Sequence, residues 1–491
     1  MPIGRTAFSF TLAPAMALAL AACGGGDGGF TAPPVIGGGG GGGGGTPTPT
    51  AGSGTCSLSA RQDFVKDVID EWYLFPNLID NTVQKSAFGD VQSYIDALVA
   101  PARAQSKDRN FTFITSLAEE NAFFENGSSA GFGIRLGYDT GANRVFVIEA
   151  FESAPAFPQG FDRGTELLSI GTSAGALERV SAIMAAEGPQ GIIDRLGPSD
   201  PGVTRVFDIR SRAGTETRVT VTKADYSLDP VSDRYGAKIL NDNGKQVGYV
   251  NLRTFIDSAD PDLKAAFASF RQAGVTEVIV DFRYNGGGLV RIAELMGDLL
   301  GADKGGRVFS RTTLRPSKSS ENETDFFSTR PEAIAATKIA FIGRGGTASA
   351  SELVTNAFIP YLGNDMALVG TNTFGKPVGQ FGFDREECDD RLRVVTFKTE
   401  NATGQGEYFT GLASVVPTTC QAADDINAQL GDADEASVAQ ALSFLRDGAA
   451  VCTPIAGNGD QGTLSRRTTE RRELLQPVTP STAQREVPGL F

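Results

Sequence analysis

The sequence of 491 residues contains no histidine. A Ser-His-Asp triad, a Cys-His dyad and a histidine-ligated zinc or haem site are therefore excluded. Any hydrolytic chemistry must use another base. Positive charge is also scarce, because 44 Lys and Arg face 58 Asp and Glu, and the net charge is −14. Nucleic acid recognition needs clustered positive charge, so we expect no nucleic acid partner.

An apolar run lies between Arg5 and Cys23 and ends in Leu-Ala-Ala-Cys. This layout is typical of a secretory signal, and the run is too short and too rich in alanine for a convincing membrane-spanning helix. Its last four residues resemble a bacterial lipoprotein signal, with residues 1–22 removed and Cys23 lipidated. An ordinary cleavable signal with an incidental cysteine is the alternative. The resemblance implies a lipid anchor in the cell envelope, on the outer membrane facing the periplasm where the source has two membranes.

Residues 23–55 include nine consecutive glycines, Gly37 to Gly45, followed by TPTPT. Such a segment cannot bury a core, so it is interpreted as a flexible tether. Because a secretory signal is predicted before Cys23, the residues beyond Cys23 are expected to fold outside the cytoplasm.

Four cysteines remain beyond Cys23, and no two of them have the close spacing of metal ligands. We expect neither a metal nor a cofactor. An even number of cysteines in an exported protein suggests two disulfides, with free buried thiols as the alternative. We predict the pair Cys388–Cys420, which flanks LRVVTF and a glycine-rich segment, and therefore the pair Cys56–Cys452.

The remaining length divides by pattern into four parts. Residues 56–128 carry helical periodicity, and residues 129–225 carry short strands separated by Gly, Pro and Asp turns. Residues 226–452 alternate apolar strands with amphipathic helices, which predicts a layered α/β domain. Residues 453–491 are polar and are interpreted as a flexible tail, either disordered or loosely docked. In the α/β part the predicted strands are 247–252, 275–282, 338–343, 366–370 and 392–397, and the predicted helices are 261–272, 289–300, 350–361 and 436–445.

A glycine-rich loop, Asn285-Gly286-Gly287-Gly288, follows the predicted strand 275–282. Glycines let a backbone approach a ligand closely and expose N–H groups that suit an anion or oxyanion. A tight strand-to-helix turn is the alternative interpretation. The loop lacks the Lys-Ser/Thr of a phosphate-binding P-loop.

Ser349 lies among small residues between the predicted strand 338–343 and the predicted helix 350–361. A serine at such a turn is exposed, and the helix N-terminus behind it offers free N–H groups. The arrangement is similar to a nucleophile elbow, in which a strand-to-helix turn exposes a serine, but it lacks the G-x-S-x-G sequence. Helix capping by Ser349 or Ser351 is the alternative.

Lys376 follows the predicted strand 366–370 and lies among Phe374, Pro377 and Val378. A desolvated lysine loses its charged form and becomes a usable base, which suits a chain without histidine. A solvated surface lysine is the alternative. Gln380, four residues on, is placed to hydrogen-bond the amine.

Together the segments NGGG (285–288), TASASE (347–352) and FGKPVGQ (374–380) strongly resemble the carboxy-terminal processing (tail-specific) serine protease family, whose members carry these motifs in this order. The resemblance covers about residues 57–445. It implies a crotonase-like α/β catalytic core of a layered sheet with helices, a small N-terminal helical module and an inserted PDZ-like β-rich domain.

The resemblance also implies roles for individual residues. Ser349 matches the nucleophile, Lys376 the general base and Gln380 the residue that orients the lysine. The oxyanion hole would be the N–H of Ala350 with that of Gly286 or Gly287. The resemblance thus implies a membrane-tethered endopeptidase that cleaves exported proteins through an acyl-enzyme.

The loop Gly131-Phe132-Gly133-Ile134 resembles the carboxylate-binding loop of PDZ domains, with a glycine-softened strand start as the alternative. Such a loop captures peptide C-termini, so exported proteins or peptides with apolar C-termini are the expected substrates. The last residues, 487–491, are themselves apolar, and we predict that they occupy this site. A non-catalytic relative that binds peptides or hydrophobic ligands and a structural lipoprotein are the competing hypotheses.

Overall fold

The computed structural model describes residues 54–456 and 472–491. The predicted signal peptide, Cys23 and nearly all of the predicted tether lie outside the described residues. Within the described ranges, no helix has both the length and the apolar character needed to cross a membrane.

The helices and strands of the described residues are numbered here in chain order. The α-helices are α1 (Leu58–Trp72), α2 (Val91–Leu98), α3 (Ala100–Ala104), α4 (Leu117–Asn126), α5 (Val180–Leu196), α6 (Ala259–Gln272), α7 (Val290–Leu300), α8 (Ala350–Leu362), α9 (Ala436–Asp447) and α10 (Thr482–Glu486). The strands in the first half are β1 (Phe113–Ser116), β2 (Ser128–Gly131), β3 (Ile134–Asp139), β4 (Arg144–Ala150), β5 (Glu166–Gly171), β6 (Glu178–Arg179), β7 (Thr204–Arg210), β8 (Glu216–Thr222), β9 (Ala224–Ser227) and β10 (Ala237–Asp242). The strands in the second half are β11 (Lys245–Asn251), β12 (Glu277–Asp281), β13 (Val308–Leu314), β14 (Glu323–Phe326), β15 (Lys338–Gly343), β16 (Met366–Gly370), β17 (Val378–Arg385), β18 (Asp390–Glu400), β19 (Thr419–Gln421) and β20 (Arg472–Leu474).

A six-stranded sheet in the order β10-β11-β12-β15-β16-β19 forms the centre of the α/β core. The strands from β11 to β19 pair in parallel, and β10 is antiparallel at one edge. Alternate side chains point to opposite faces, so Val278 packs with α6, α7 and α8, whereas Ile279 packs with α9. Burial on both faces explains the continuous apolar sequences of these strands. The predicted α/β core is confirmed.

A second sheet, which is antiparallel, covers much of the β-rich region. It runs β20-β3-β4-β5-β7-β8, with β6 beside β5. Helix α5 closes its core through residues such as Ile183 and Leu196, and the helix is broken at Gly188, where φ is +67°.

The N-terminal helices share a core with a third sheet. Val65 and Ile69 of α1 and Ile95 of α2 pack with apolar residues of β17 and β18, among them Val394. The predicted strand 392–397 therefore extends to β18 and lies in this antiparallel sheet, not in the parallel one. Since β17 begins directly after Lys376, the helices support the segment that carries the candidate base.

The predicted disulfide pairing is wrong. The structure pairs Cys56 with Cys388 and Cys420 with Cys452, at Cα–Cα distances of 5.5 and 4.4 Å. The turn between β17 and β18 brings Cys388 to the start of α1, while the chain after α9 runs beside β19 and brings Cys452 to Cys420. Pairing therefore follows strand contacts that cysteine spacing does not encode.

The prediction of a flexible tail over residues 453–491 is wrong for residues 472–491. This segment adds β20 to β3 and forms α10. Its apolar side chains, including those of Leu475 and Val487, are fully buried. Burial of these apolar groups offsets the entropy lost on ordering the segment, which its polar average composition conceals.

Candidate active site

Ser349 lies at the turn from β15 to α8 in a backbone conformation that few non-glycine residues adopt. Its φ is +54° and its ψ is −115°, whereas a helix N-cap is usually extended. Such strain persists only where the surroundings hold it, and it is common at active sites. Helix α8 begins at Ala350, so the Ala350 N–H has no carbonyl partner within the helix and faces the turn. The position therefore combines a strained serine with an available backbone donor.

The loop 285–288 lies directly against Ser349. Gly287 has a φ of +124°, and a Cβ at this residue would lie 2.7 Å from the Ser349 Cβ. Asn285 fixes the loop by donating to the Leu252 carbonyl at 2.7 Å and accepting from the Gly287 N–H at 2.9 Å. Because the Gly287 N–H is bound within the loop, the Gly286 N–H is the donor directed outward. Gly286 is thus the better of the two glycine candidates for an oxyanion donor.

Lys376 and Gln380 are in direct contact. The Lys376 Nζ donates to the Gln380 Oε1 at 2.7 Å, and the Gln380 Nε2 donates to the Phe111 carbonyl. The amine also lies 5.0 Å from the centre of the Phe111 ring. Burial lowers the pKa of Lys376, and the nearby Glu486 carboxylate opposes this shift. The geometry therefore holds the amine at one position and favours its neutral form.

The carboxylate of Glu352 connects the serine turn with the lysine loop. Its Oε2 accepts from the Ser349 N–H at 3.1 Å and from the Lys376 N–H at 2.7 Å. Its Oε1 accepts from the Gly375 N–H at 2.7 Å and from the Thr373 hydroxyl at 2.5 Å. Burial raises the pKa of the Glu352 carboxyl, and these hydrogen bonds oppose that shift. One buried side chain thus brings the two candidate catalytic residues together.

The loop before β1 braces the lysine from the other side. Arg109 donates to the carbonyls of Phe374 and Gly375 at 2.7 and 2.5 Å. The loop is itself held by the buried Asp108, which accepts from the Tyr73 hydroxyl and from the Phe111 N–H at 2.9 and 2.7 Å. The helical module therefore contributes directly to the position of Gln380 and Lys376.

The loop Gly131–Ile134 precedes and enters β3, at the edge of the β-rich sheet. The backbone N–H groups of Gly133 and Ile134 donate to the Phe491 oxygen at 2.8 and 3.2 Å. Gly133 has a φ of +71°, and a Cβ there would overlap the Ala154 Cβ. Phe491 is only 4% exposed and packs in the core of this sheet.

A cavity of about 770 Å³ reaches the candidate base Lys376 and the turn residue Ala348 that precedes Ser349. Its walls include Gly286, Lys376, Phe111 and Phe374, together with Glu486 of the last segment. The residues in the described ranges form no cluster of three or more metal-ligating side chains.

The sequence interpretation named Ser349, Lys376 and Gln380 but assigned no role to Glu352, Phe111 or Arg109. Glu352 carried a signal, because Ser349-x-x-Glu352 has the spacing of a capping box. Phe111 and Arg109 carried none, since they belong to a loop about 270 residues away in sequence whose approach depends on tertiary packing.

The sequence of the chain is similar to those of known peptidases. Residues 246–413 match the sequence model of peptidase family S41. The chain is 28% identical over 260 residues to the C-terminal processing peptidase of Tetradesmus obliquus chloroplasts, covering 51% of this chain and 52% of that protein. It is 29% identical over 212 residues to the protein named "Probable CtpA-like serine protease" of Staphylococcus aureus, covering 42% of this chain and 40% of that protein. The matches thus span about half or less of the length of these relatives.

Among solved structures, the fold resembles the protein of Bacteroides fragilis named "Putative S41 protease". The two share 22% sequence identity with a TM-score of 0.59, and the match covers 78% of this chain and 97% of that chain. At this identity the likeness concerns the fold alone.

Proposed function

We propose that this protein, whose residues 246–413 match the sequence model of peptidase family S41, is a serine endopeptidase of the C-terminal processing type with a Ser349–Lys376 dyad. The observation that carries the proposal is the shared Glu352 carboxylate, which binds the backbone N–H of both residues. The hydrogen bond from Lys376 to Gln380 supports it.

In the proposed reaction, the Ser349 Oγ attacks the carbonyl carbon of a peptide bond while the neutral Lys376 amine takes the hydroxyl proton. The N–H groups of Gly286 and Ala350 stabilise the negative oxygen that forms. Collapse breaks the C–N bond, and the lysine returns the proton to the departing amine. Water, deprotonated by the same lysine, then attacks the acyl-enzyme; the bond from the acyl carbon to the Ser349 Oγ breaks, the lysine returns the proton to that oxygen, and the acid is released.

The substrate class is inferred from the β-rich domain. The N–H groups of Gly133 and Ile134 converge on one backbone oxygen, beside the buried pocket that holds the Phe491 side chain. Paired N–H groups at a sheet edge suit an extended peptide that ends in a carboxylate. We therefore propose a PDZ-like role for this domain and exported proteins with apolar C-termini as substrates.

The envelope location rests on residues 1–55 alone. The apolar run ending in Leu-Ala-Ala-Cys23 and the glycine-rich stretch support a lipid anchor that holds the protease at a membrane. Mass spectrometry of the membrane fraction should find a lipidated Cys23, and Cys23→Ser should move the protein to the soluble fraction.

The decisive experiment compares Ser349→Ala with the parent protein on a peptide library, with products read by mass spectrometry. Ser349→Ala should abolish cleavage and retain the parent's thermal unfolding. Ser320→Ala, at an exposed serine, is the matched control and should cleave normally. Parental cleavage by Ser349→Ala would remove the catalytic proposal and favour a binding protein on the same fold.

A further inference from the structure

Residues 472–491, the last described segment, run from the β-rich sheet to the candidate catalytic residues and back to the sheet. We call them the docked segment. Strand β20 pairs antiparallel with β3, from Arg472↔Asp139 to Leu474↔Gly137. The chain then forms α10 and returns to β3, where the Phe491 N–H donates to the Ile134 carbonyl at 2.9 Å. The docked segment thus contacts the edge of β3 twice.

The docking is apolar as well as hydrogen-bonded. Leu475 and Phe491 are buried in the core of the β-rich sheet, while Val487 and Leu490 are buried in a cluster with Phe123 of α4. The Leu136 N–H donates to the Gly489 carbonyl at 2.8 Å. Added backbone pairing with pockets for side chains is the way in which a sheet edge binds a peptide. The docked segment therefore fills the surface that the proposed function gives to substrate.

The same segment reaches the candidate oxyanion donor. The Gly286 N–H donates to the Glu486 carbonyl at 2.8 Å. The approach is close enough that a Cβ on Gly286 would lie 2.3 Å from the Arg485 carbonyl oxygen. A substrate carbonyl that uses Gly286 must therefore first displace Glu486.

The local backbone is not that of an extended substrate. Residues 482–486 form a helical turn with a Ser481/Gln484 capping box, and the Val487 N–H donates to the Ala483 carbonyl at 2.8 Å. The nitrogen of the Glu486–Val487 bond is thus held within the turn. In this conformation the docked segment accepts the hydrogen bond from the Gly286 N–H, but its Glu486–Val487 peptide bond is not held in the extended form of a substrate.

The docked segment also changes the charge around the base. Burial raises the pKa of the Glu486 carboxyl, and Lys376 opposes that shift. Glu486 in turn favours the charged form of Lys376, whereas Arg485 and Arg393 disfavour it and Asp108 favours it. Departure of the segment removes both Glu486 and Arg485, whose charges act on the Lys376 amine in opposite directions.

We propose that residues 472–491 are a built-in competitive ligand of the substrate site, which binds the β3 edge and the Gly286 N–H together until a substrate displaces them. The inference rests on the proposed function only in calling the site a substrate site. That residues 472–491 occupy this site is a statement about binding alone. A ligand that displaces residues 472–491 is therefore expected to be a polypeptide that adds a strand to β3 and buries apolar side chains where Leu490 and Phe491 lie.

The test measures binding in a Ser349→Ala background, where nothing is cleaved. The probe is a fluorescein-labelled peptide with the sequence of residues 476–491. Phe491→Asp places a charge in a buried apolar pocket and should release the segment. The probe should then bind about tenfold tighter or more, the gain expected when a site about nine-tenths occupied is freed. Phe326→Asp is the matched control, because Phe326 is 54% exposed, and it should bind the probe as the parent does.

A second arm keeps Ser349 and follows cleavage of a peptide substrate. Phe491→Asp should raise kcat/KM by a similar factor, and an excess of the unlabelled peptide should reverse the gain. Val487→Asp repeats both arms if thermal melting shows that Phe491→Asp does not fold. Equal probe affinity in parent and released variants would overturn the inference. Tighter probe binding without any cleavage would instead leave the occupancy intact and remove the proposed catalytic function.

Discussion

At the scale of single residues, the site depends on one carboxylate that is not itself a reacting group. Glu352 accepts four hydrogen bonds, two from the backbones of Ser349 and Lys376 and two from Thr373 and Gly375. Since both oxygens are used, the carboxylate fixes the serine turn relative to the lysine loop. The two proposed catalytic residues are thereby held relative to each other although their motifs follow different strands of the sheet.

The first prediction concerns Lys376 as the base. Lys376→Ala should lower kcat/KM by about 10²- to 10⁴-fold, the contribution of a positioned general base. Lys376→Arg should fail as well, because a guanidinium stays protonated and cannot accept the serine proton. In the parent, kcat/KM should rise as the pH rises through the lowered pKa of Lys376, since the neutral amine is the active form.

Steady-state kinetics of the three proteins across pH checks this prediction, with Lys264→Arg, at a half-buried lysine paired with Asp260, as the control. Turnover by Lys376→Arg near the parental level would contradict a lysine base. A rate that rises nowhere as the pH is raised towards the usual pKa of lysine would contradict the proposed titration.

The second prediction concerns Glu352 as a positioning residue. Glu352→Gln replaces an acceptor oxygen by an NH₂ group, which leaves backbone N–H groups near Ser349 and Lys376 without an acceptor. Displacement of the reacting atoms should lower kcat by about 10- to 100-fold while KM changes little. Glu352→Asp, which keeps the carboxylate, should recover part of the lost kcat, and Glu321→Gln, at an exposed position, should have no effect. Equal losses for Glu352→Gln and Glu352→Asp would contradict the positioning role.

At the scale of secondary-structure elements, the sequence was sufficient to predict the parallel core. Strands β15 and β16 match the predicted ranges 338–343 and 366–370, and β12 and α8 differ only at their ends. These elements are predictable because burial on both faces of a parallel sheet demands continuous apolar runs, and the helices between them carry amphipathic patterns.

The remaining errors come from contacts that are distant in sequence. Strand β18 has the same apolar character as the core strands, but its partners are β1, β13 and β17 in an antiparallel sheet. The docked segment has a polar average composition and is ordered by a few apolar residues that pack on β3 and α4. Local hydrophobic periodicity does not identify the packing partners of β18 or of the docked segment.

The third prediction concerns the two disulfides as links between elements. The pair Cys56–Cys388 closes 332 residues, and the pair Cys420–Cys452 closes 32. In the chain-entropy model these loops correspond to about 6 and about 4 kcal/mol of stabilisation. Replacing Cys56 and Cys388 by serine should therefore lower Tm more than replacing Cys420 and Cys452. Calorimetry of both double variants measures the order, and peptide mapping without reductant tests the pairing; the opposite order would contradict the loop argument.

At the scale of the whole molecule, buried charges join the β-rich domain to the α/β core. Arg163 pairs with Asp424 at 2.5 Å and donates to the Tyr284 hydroxyl at 3.1 Å, and Arg283 lies 3.3 Å from the same oxygen of Asp424. Burial alone would raise the pKa of Asp424, but the surrounding guanidinium groups lower it well below its usual range. Arg135 adds a bond of 2.5 Å to the Tyr284 carbonyl. Since Tyr284 precedes the Asn285–Gly288 loop, the domain contact lies next to the oxyanion donors.

The last prediction tests this connection. Arg163→Met keeps an unbranched side chain but leaves Asp424 buried with fewer positive partners, which should cost about 3–5 kcal/mol of unfolding free energy. Arg218→Met is the matched control, because the Arg218–Asp208 pair lies at the surface, and it should cost less than about 1 kcal/mol. Urea unfolding followed by far-UV circular dichroism measures both losses. The Arg163 variant should also lower kcat, because Tyr284 loses a partner beside the oxyanion loop. A loss of stability no larger than that of Arg218→Met would show that the domains are held together by their apolar contacts and not by this charge network.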